Sequence, residues 1–342
     1  MQTYAHAPRL LLTLLLSASL LTACNKPDSA TQLAQARANL AAGDTKTAMI
    51  QLKNAVATDG KNAEARYELG MLHFDQPDFP SAEKEFRRAR EAGYAANIVT
   101  PMIARAMLAQ GDYRRMLDDL PEPTENSADT ATLQAQRATA ELGLGRKDDA
   151  RKTLQRAVQA APDNVDVQLA LAQLSLAEGN AEKAMQSLNR ALRLAPKHRD
   201  SLLLKADLLR ATNKPDEATA LYRTVLQIAP RNINARLALA NIALASNKPD
   251  EARKEVDAAL TINPGNLQTL YTQALIDFRE KKTERARDHL ARVLKAAPGF
   301  VPALLLGGSI EYTLGNLQTA ESHLNKVVKV TNPGAAFNTW AR

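Results

Sequence analysis

Cys24 is the only cysteine in the chain of 342 residues, and it is the side chain best suited to a covalent reaction. A thiolate is a soft nucleophile that suits S-alkylation. Cys24 follows an apolar run at residues 10–21, LLLTLLLSASLL, and has no second cysteine with which to form a disulfide. A free thiol would be vulnerable in an oxidising compartment. We therefore expect Cys24 to be modified; the alternatives are a small buried cysteine and an unpaired exported thiol.

The first 23 residues predict export. Arg9 is their only formal cation, they contain no acidic residue, and the apolar run is shorter than the roughly 20 residues that span a bilayer. This pattern is typical of a secretory signal peptide, and a buried N-terminal helix is the alternative. Residues 21–24, Leu-Thr-Ala-Cys, resemble the lipobox of bacterial lipoproteins. The resemblance implies removal of residues 1–23, a diacylglycerol thioether on Cys24 and acylation of the new N-terminus.

The lipobox resemblance also implies a location. Asn25 stands where, in the enterobacterial sorting rule, an Asp retains lipoproteins at the inner membrane. We expect the chain to be anchored to the outer membrane and to face the periplasm, since two or three acyl chains hold a protein far better than one. Loss of Arg9 with the signal lowers the formal net charge of +7 by one. A small net positive charge on a periplasmic protein does not predict a nucleic-acid partner.

Other groups that could do catalytic chemistry form no pattern. The five histidines are scattered, and the sequence has no HExxH, GxGxxG, GxxxxGK[ST] or GxSxG motif. Neighbouring carboxylates occur at Glu83 and Glu85, at 118–119 and at 148–149, where solvated charge on a helix surface is the expected explanation. We expect no enzyme, no metal site, no cofactor beyond the acyl groups on Cys24, and no small-molecule substrate.

A period of 34 residues organises the rest of the chain. Counted from Ser29, the copies begin at residues 29, 63, 97, 131, 165, 199, 233, 267 and 301, without insertion or deletion. Position 8 is Ala or Gly in all copies, position 20 is Ala in all but one, and position 24 is apolar or aromatic. Position 15 is Gly or Asn in seven copies and position 32 is Pro in five successive ones. Gly or Asn closes one helix and Pro ends the next, so each copy predicts a helix A and a helix B.

The period and these positions together resemble the tetratricopeptide repeat, from residue 29 to about residue 334. The chain departs from the family consensus at positions 4 and 7, where polar residues often replace Trp and Leu. The resemblance implies an all-α fold, a right-handed α-solenoid of nine tandem 34-residue helix pairs. Small residues at positions 8 and 20 would let helices A and B cross closely, and positions 24 and 27 would face the next helix A.

The repeat boundaries predict five segments, of which the signal peptide is the first. These are the signal peptide 1–23, a lipidated tether 24–28, repeats 1–3 at 29–130, repeats 4–9 at 131–334, and the start of a tenth repeat at 335–342. The partial tenth repeat suggests a shortened form of a longer array, because terminal repeats of a solenoid usually need a cap.

Repeat 3 is the weakest copy. Pro101 predicts that its helix A starts late, and Pro121 and Pro123 predict that its helix B stops early. Residues 121–130 then form a loop between two blocks of repeats. This loop is either a hinge or only a tolerated degenerate repeat.

The resemblance further implies a concave groove lined by helix A, chiefly through positions 2, 5, 9, 12 and 13. On this sequence those positions are apolar with scattered Arg, Asn and Gln, which suits an extended peptide or a partner helix. Packing of the leucines within helix pairs is an equally good interpretation. The candidate groove residues are Tyr67, Met71, Arg105, Gln173, Arg210, Asn241, Tyr271 and Phe278.

Residues 24–334 resemble one family of such lipoproteins in particular. The lipobox, the ungapped spacing and the stretch Leu-Lys-Asn-Ala-Val at 52–56 are similar to the tetratricopeptide lipoprotein of the PEP-CTERM and exosortase system. That family implies a scaffold for envelope proteins in PEP-CTERM protein sorting and exopolysaccharide biosynthesis or export. The alternatives are a lipoprotein that assembles pilus secretins or outer-membrane barrels, and a periplasmic co-chaperone or polysaccharide-binding module.

Overall fold

The computed structural model describes residues 27–120, 122–123 and 125–331, and every regular element in that part of the chain is an α-helix. Contacts divide the chain after Gln110 into two compact units. The first unit contains α1 (Ser29–Ala41), α2 (Thr45–Thr58), α3 (Ala63–Asp75), α4 (Phe79–Glu91) and α5 (Ala96–Gln110). The second contains α6 (Tyr113–Asp119), α7 (Ala128–Gly143), α8 (Lys147–Ala160), α9 (Val165–Ala177), α10 (Ala181–Leu194), α11 (Arg199–Ala211), α12 (Pro215–Ile228), α13 (Ile233–Ala245), α14 (Pro249–Ile262), α15 (Leu267–Arg279), α16 (Thr283–Ala296), α17 (Val301–Thr313) and α18 (Leu317–Thr331).

The alternation of helices A and B follows the 34-residue period. Odd-numbered helices are helix A of each repeat and even-numbered helices are helix B. Within each unit every helix packs against the next one along the chain, which is the nearest-neighbour arrangement of an α-solenoid. The predicted fold class is confirmed.

Small residues sit where helices A and B of one repeat cross. Ala138 in α7 and Ala150 in α8 are fully buried, and their equivalents in the other repeats are buried, including Met116, the one larger residue among them. At Gly70 in α3, a Cβ atom would lie 2.7 Å from the ring of Phe86 in α4. Since that distance is shorter than real Cβ contacts, the two helices approach as closely as a glycine permits.

The helix ends follow from capping chemistry. Before helix A, the side chains of Asn62, Asn164, Asn232 and Asn266 accept hydrogen bonds from backbone N–H groups of the first turn, a feature of this sequence that we did not predict. Helix B of the five repeats with a proline at position 32 ends two residues before that proline, as predicted. These signals set the length of each helix pair.

Two predictions about repeat 3 are wrong. Pro101 lies inside α5, which begins five residues earlier, at Ala96. The buried side chain of Val99 and the bonds of the Ile98 and Val99 N–H groups to the Ala95 carbonyl hold the turn that precedes the proline. The loop is also shorter than 121–130, because α7 begins at Ala128.

The start of α7 is set by its cap. Ser127 precedes the helix, and its backbone N–H donates to Oγ1 of Thr130 at 3.1 Å. The early end of helix B is confirmed, since α6 has only seven residues and stops at Asp119. The boundary between the compact units, after Gln110, falls between helices A and B of repeat 3.

Several predictions concern residues outside the described part of the chain. These are the signal peptide 1–23, the acylated Cys24, and the segment 335–342. Within the described residues, no helix combines the length and apolar character needed to cross a membrane.

Candidate partner-binding surface

In the second unit, A helices of neighbouring repeats contact each other at three junctions. There α7 contacts α9, α13 contacts α15 and α15 contacts α17, so A helices of neighbouring repeats touch one another. No two neighbouring B helices among the described residues contact each other to that extent. At these three junctions the A helices lie closer together than the B helices, and the A helices form one face of the stack. The side chains of that face form the candidate surface.

The first unit brings its three candidate residues together. Tyr67 and Met71 are four residues apart on α3, and Phe74 continues the same helix face. The guanidinium of Arg105, on α5, lies 5.2 Å from the centre of the Phe74 ring, in a cation–π arrangement. Tyr67 stacks on Tyr94 with ring centres 4.3 Å apart. The result is an aromatic cluster of two half-buried tyrosines and the buried Phe74, with a cation beside it.

Burial sets the ionisation of the tyrosines in these clusters. Burial raises the pKa of Tyr67, and the neighbouring Tyr94 adds to the rise while Arg105 opposes it. Burial also raises the pKa of Tyr271 in the second unit. Both side chains therefore remain neutral phenols around neutral pH and can donate a hydrogen bond.

The candidates of the second unit divide into packed and exposed side chains. Tyr271 and Phe278 are half-buried on α15, and Tyr271 meets the ring of Phe300 edge-on at 5.6 Å. Arg210 on α11 and Asn241 on α13 are exposed. Arg210 lies 3.9 Å from Asp207, a weak pair at the surface. Arg210 and Asn241 are thus the candidates in this unit most accessible to a partner.

Gln173 is used within the protein. Its side-chain oxygen accepts a hydrogen bond of 2.7 Å from Thr139, which ties α9 to α7. Arg279 of α15 similarly donates to the Leu244 carbonyl of α13 at 2.6 Å. Polar side chains on the A helices therefore hold neighbouring repeats together as well as facing solvent.

Comparison with known protein families agrees with the arrangement of repeated helix pairs. Family models described as tetratricopeptide repeat match residues 33–97, 136–199, 209–274 and 271–336, more than half of the chain. The chain belongs to the tetratricopeptide repeat family. Repeats of this family are generally non-catalytic scaffolds that mediate protein–protein interactions.

Two of the solved structures that are similar to this tetratricopeptide repeat protein come from pilus biology. PilF of Pseudomonas aeruginosa matches with a TM-score of 0.54 and 20% identity, over 60% of this chain and 93% of PilF. PilW, described as a widely conserved type IV pilus biogenesis factor, matches with a TM-score of 0.54 and 19% identity, over 60% of this chain and 94% of PilW. Identities this low show a shared fold alone. No curated protein sequence matches the chain.

Two aromatic residues of the tetratricopeptide repeat surface, Tyr94 and Phe300, were missed in the sequence. Tyr94 and Phe300 pack on Tyr67 and Tyr271 from the turns after helix B, where an aromatic residue replaces the usual turn residue. Leu305 and Tyr312 on α17 occupy the predicted groove positions 5 and 12 and are 47% and 70% exposed. The aromatic residue type at a turn position was the sequence signal that could have identified Tyr94 and Phe300.

The carboxylates Glu83 and Glu85 are not solvated, so that expectation is wrong. Both are buried in the first unit. Glu85 lies 2.7 Å from Arg66, and Glu83 lies 2.8 Å from Arg87 and accepts a bond of 2.9 Å from Gln110. These partners compensate the burial of both charges, and the two carboxylates join neighbouring helices.

Proposed function

We propose that this tetratricopeptide repeat protein is a lipid-anchored periplasmic scaffold that binds envelope proteins through its A-helix surface. The observation that supports binding is the exposure of Arg210, Asn241, Leu305 and Tyr312 on the A helices of the second unit. Such a surface offers both apolar contact and hydrogen-bonding groups to an extended peptide or a helix. The lipobox resemblance at residues 21–24 supports the anchor.

The pathway we propose is PEP-CTERM protein sorting together with exopolysaccharide biosynthesis or export. Its support is the resemblance of residues 24–334, including the stretch at 52–56, to the tetratricopeptide lipoprotein of that system. A second candidate is assembly of a pilus or an outer-membrane complex. The fold likeness to PilF and PilW is the observation that favours it.

The anchor is tested by mass spectrometry of membrane fractions. An acylated peptide that begins at Cys24 is the expected result, and the Cys24→Ala protein should lose the modification and leave the membrane fraction. Recovery of the wild-type protein in the soluble fraction, with residues 1–23 still attached, would refute the anchor.

Partner binding is tested by affinity capture with the full chain and two matched variants. Arg210→Ala removes a cation from helix A of repeat 6, whereas Arg223→Ala removes an exposed cation from helix B of the same repeat. Loss of a captured envelope protein with Arg210→Ala but not with Arg223→Ala is expected. Recovery of polysaccharide-export proteins would support the PEP-CTERM and exopolysaccharide pathway. Recovery of pilus proteins would support pilus assembly. Capture of glycan alone would contradict the scaffold.

A further inference from the structure

The C-terminal ends of two B helices form an exposed edge of the second unit that is both apolar and basic. Leu194 is the last residue of α10 and Ile228 the last residue of α12, and they are 42% and 38% exposed. Arg193, Lys197 and Arg231 stand beside them in the sequence and are exposed as well. Because these residues hold positions 29, 30 and 33 of consecutive repeats, they lie along one side of the solenoid. We call these five residues the α10–α12 edge.

The composition of this edge is particular to repeats 5 and 6. Helix B of repeats 4 and 8 ends with an alanine, Ala160 and Ala296, and position 33 of those repeats is Asp163 and Gly299. A repeat can therefore fold without a large apolar residue or a cation at these positions. The helix dipole favours a cation near a C-terminus, but it does not account for large apolar side chains exposed beside that cation.

The three cations of the edge have no ionic partner among the described residues. Asp200, three residues after Lys197, is paired with Arg199 at 3.0 Å. Asp163, at the equivalent position of repeat 4, is paired with Arg190 at 2.7 Å. Since these nearby carboxylates are already neutralised, the positive charge of the edge is available to an anionic partner outside the protein.

We propose that the α10–α12 edge rests on a bilayer surface that contains anionic phospholipids. Leu194 and Ile228 enter the boundary between the headgroups and the acyl chains. The cations of the edge reach the headgroup phosphates, since long basic side chains can place an apolar stem in the boundary and keep the charge in the polar layer. Membrane affinity rises with the buried apolar area and with the attraction of cations to anionic lipids, and the edge supplies both.

The chemistry of the edge favours a lipid surface over other anionic partners. None of its five residues is aromatic, so it offers no ring on which a sugar could stack. The edge lies at the ends of B helices and shares no residue with the A-helix surface that we propose binds envelope proteins. The inference thus goes beyond the proposed scaffold function, although a lipid anchor would bring the edge close to a bilayer.

The test measures contact between the edge and lipid in the full chain, reconstituted in vesicles that contain brominated phospholipid as a quencher. A fluorescent label is attached through Gln227→Cys, beside the edge, or through Ala220→Cys on the same helix. Both positions are exposed, and they lie about 10 Å apart along α12 at 1.5 Å per residue. In mixed phosphatidylcholine and phosphatidylglycerol, we expect stronger quenching at residue 227 than at residue 220. In phosphatidylcholine alone, this difference should be lost.

The result does not depend on the anchor. An acylated Cys24 does not react with the label. If Cys24 is found free, Cys24→Ala is added to each labelled chain, and the protein is mixed with the same vesicles from solution. The same difference in quenching is expected.

Matched variants separate the edge from a general attraction of charge. Lys197→Glu should reduce quenching at residue 227, because each cation near an anionic surface strengthens binding about fivefold. Lys183→Glu reverses an exposed cation in the first turn of α10 and should have little effect. Leu194→Ser should also reduce quenching, since it removes apolar contact without changing charge. Circular dichroism checks that each variant keeps its helices.

Three outcomes would overturn the proposal. Equal quenching at residues 227 and 220 in the anionic vesicles would show that the edge does not contact lipid. Equal losses with Lys197→Glu and Lys183→Glu would show that only the overall charge matters. A label at residue 227 that lipid does not quench, but whose emission changes when alginate is added, would assign the edge to an acidic polysaccharide instead.

Discussion

The guanidinium of Arg253 in α14 lies 2.8 Å from a carboxylate oxygen of Asp277 in α15, and the Asp277 side chain has no exposed surface. Nδ1 of His289 in α16 lies 2.9 Å from the other oxygen. Arg253 also donates to Glu280 at 2.7 Å. This cluster joins three consecutive helices of repeats 7 and 8, so ionic bonds assist the apolar contacts between repeats at this junction.

Removal of the central anion should weaken the junction. Asp277→Ala takes away charge-assisted hydrogen bonds from Arg253 and His289, each partly accessible to water, and is expected to lower the free energy of unfolding by roughly 1.5–3 kcal/mol. Urea denaturation followed by circular dichroism measures the change. The matched control is Asp257→Ala, an exposed carboxylate on α14, for which a change within about 0.5 kcal/mol is expected. Equal losses in the two variants would contradict the role of the cluster.

Glu141 of α7 should make stability depend on pH. Burial raises the pKa of Glu141 above its ordinary value of 4.5, and a hydrogen bond from Thr153 opposes the rise only in part. Oε2 of Glu141 is buried without a partner among the described residues. Arg137, one turn away, donates instead to the Leu120 carbonyl at the end of α6. The surroundings of Glu141 therefore disfavour the ionised form of its carboxylate.

The sign of the effect follows from proton binding. Between the unfolded pKa and the higher folded pKa, the folded protein binds more protons than the unfolded one, so stability falls as pH rises through that range. The destabilisation grows as the pH rises towards neutrality. Glu141→Gln should raise the free energy of unfolding there by about 1 kcal/mol, and the gain should vanish below about pH 4. Urea unfolding at both pH values checks this; a gain of equal size at both would contradict it.

Gly70 should not tolerate a methyl group. Gly70→Ala places Cβ 2.7 Å from the ring of Phe86, which is fully buried and cannot move aside. A loss of about 1–3 kcal/mol is expected from overpacking. The control is Gly308→Ala, whose nearest atom is 3.0 Å away on the partly exposed Leu324 side chain. There the helix propensity of alanine, worth about 1 kcal/mol, should offset the contact. Thermal unfolding of both variants distinguishes the two sites.

Lys281 occupies a backbone conformation that suits glycine. Its φ is +61°, at repeat position 15, where most other copies have Gly. Lys281→Gly relieves a left-handed conformation that costs about 1 kcal/mol, partly offset by the greater freedom of glycine in the unfolded chain. A net gain of about 0.5 kcal/mol is expected in urea unfolding. Asn247→Gly, at φ +55°, should gain less because Asn tolerates this conformation better. A loss with Lys281→Gly would contradict the argument.

The helix pairs could be predicted because their signals are local. Position 8 and position 20 carry small residues that any close helix crossing requires, and Pro at position 32 stops helix B wherever it occurs. Pro101 shows where such signals fail. A proline in the second turn removes one N–H donor, but the packing of the buried Val99 retains the turn before it. Burial depends on neighbours that are distant in sequence, so the local signal was outweighed.

The candidate surface could be predicted only in part. Helix A positions were identifiable from the period, and Arg210 and Asn241 are exposed there. Gln173 occupies an equivalent position but is bonded to Thr139. Leu237 and Leu305 share position 5, yet the first is 6% exposed and the second 47%. Repeat position alone does not distinguish such residues, since exposure is set by the side chains of adjacent repeats.

The sequence by itself determined the repeat length, the order of helices A and B, the family, and the residues at which helices cross, because each depends on spacing along the chain. The tertiary structure decided how each charge and aromatic side chain is used. Glu85 and Asp277 have partners on other helices, and Tyr67 stacks on Tyr94 in the turn after α4. These partners determine whether a group is buried, paired or available to bind. The energy of a buried charge depends on the few ångströms around it, and those distances exist only once the helices have packed.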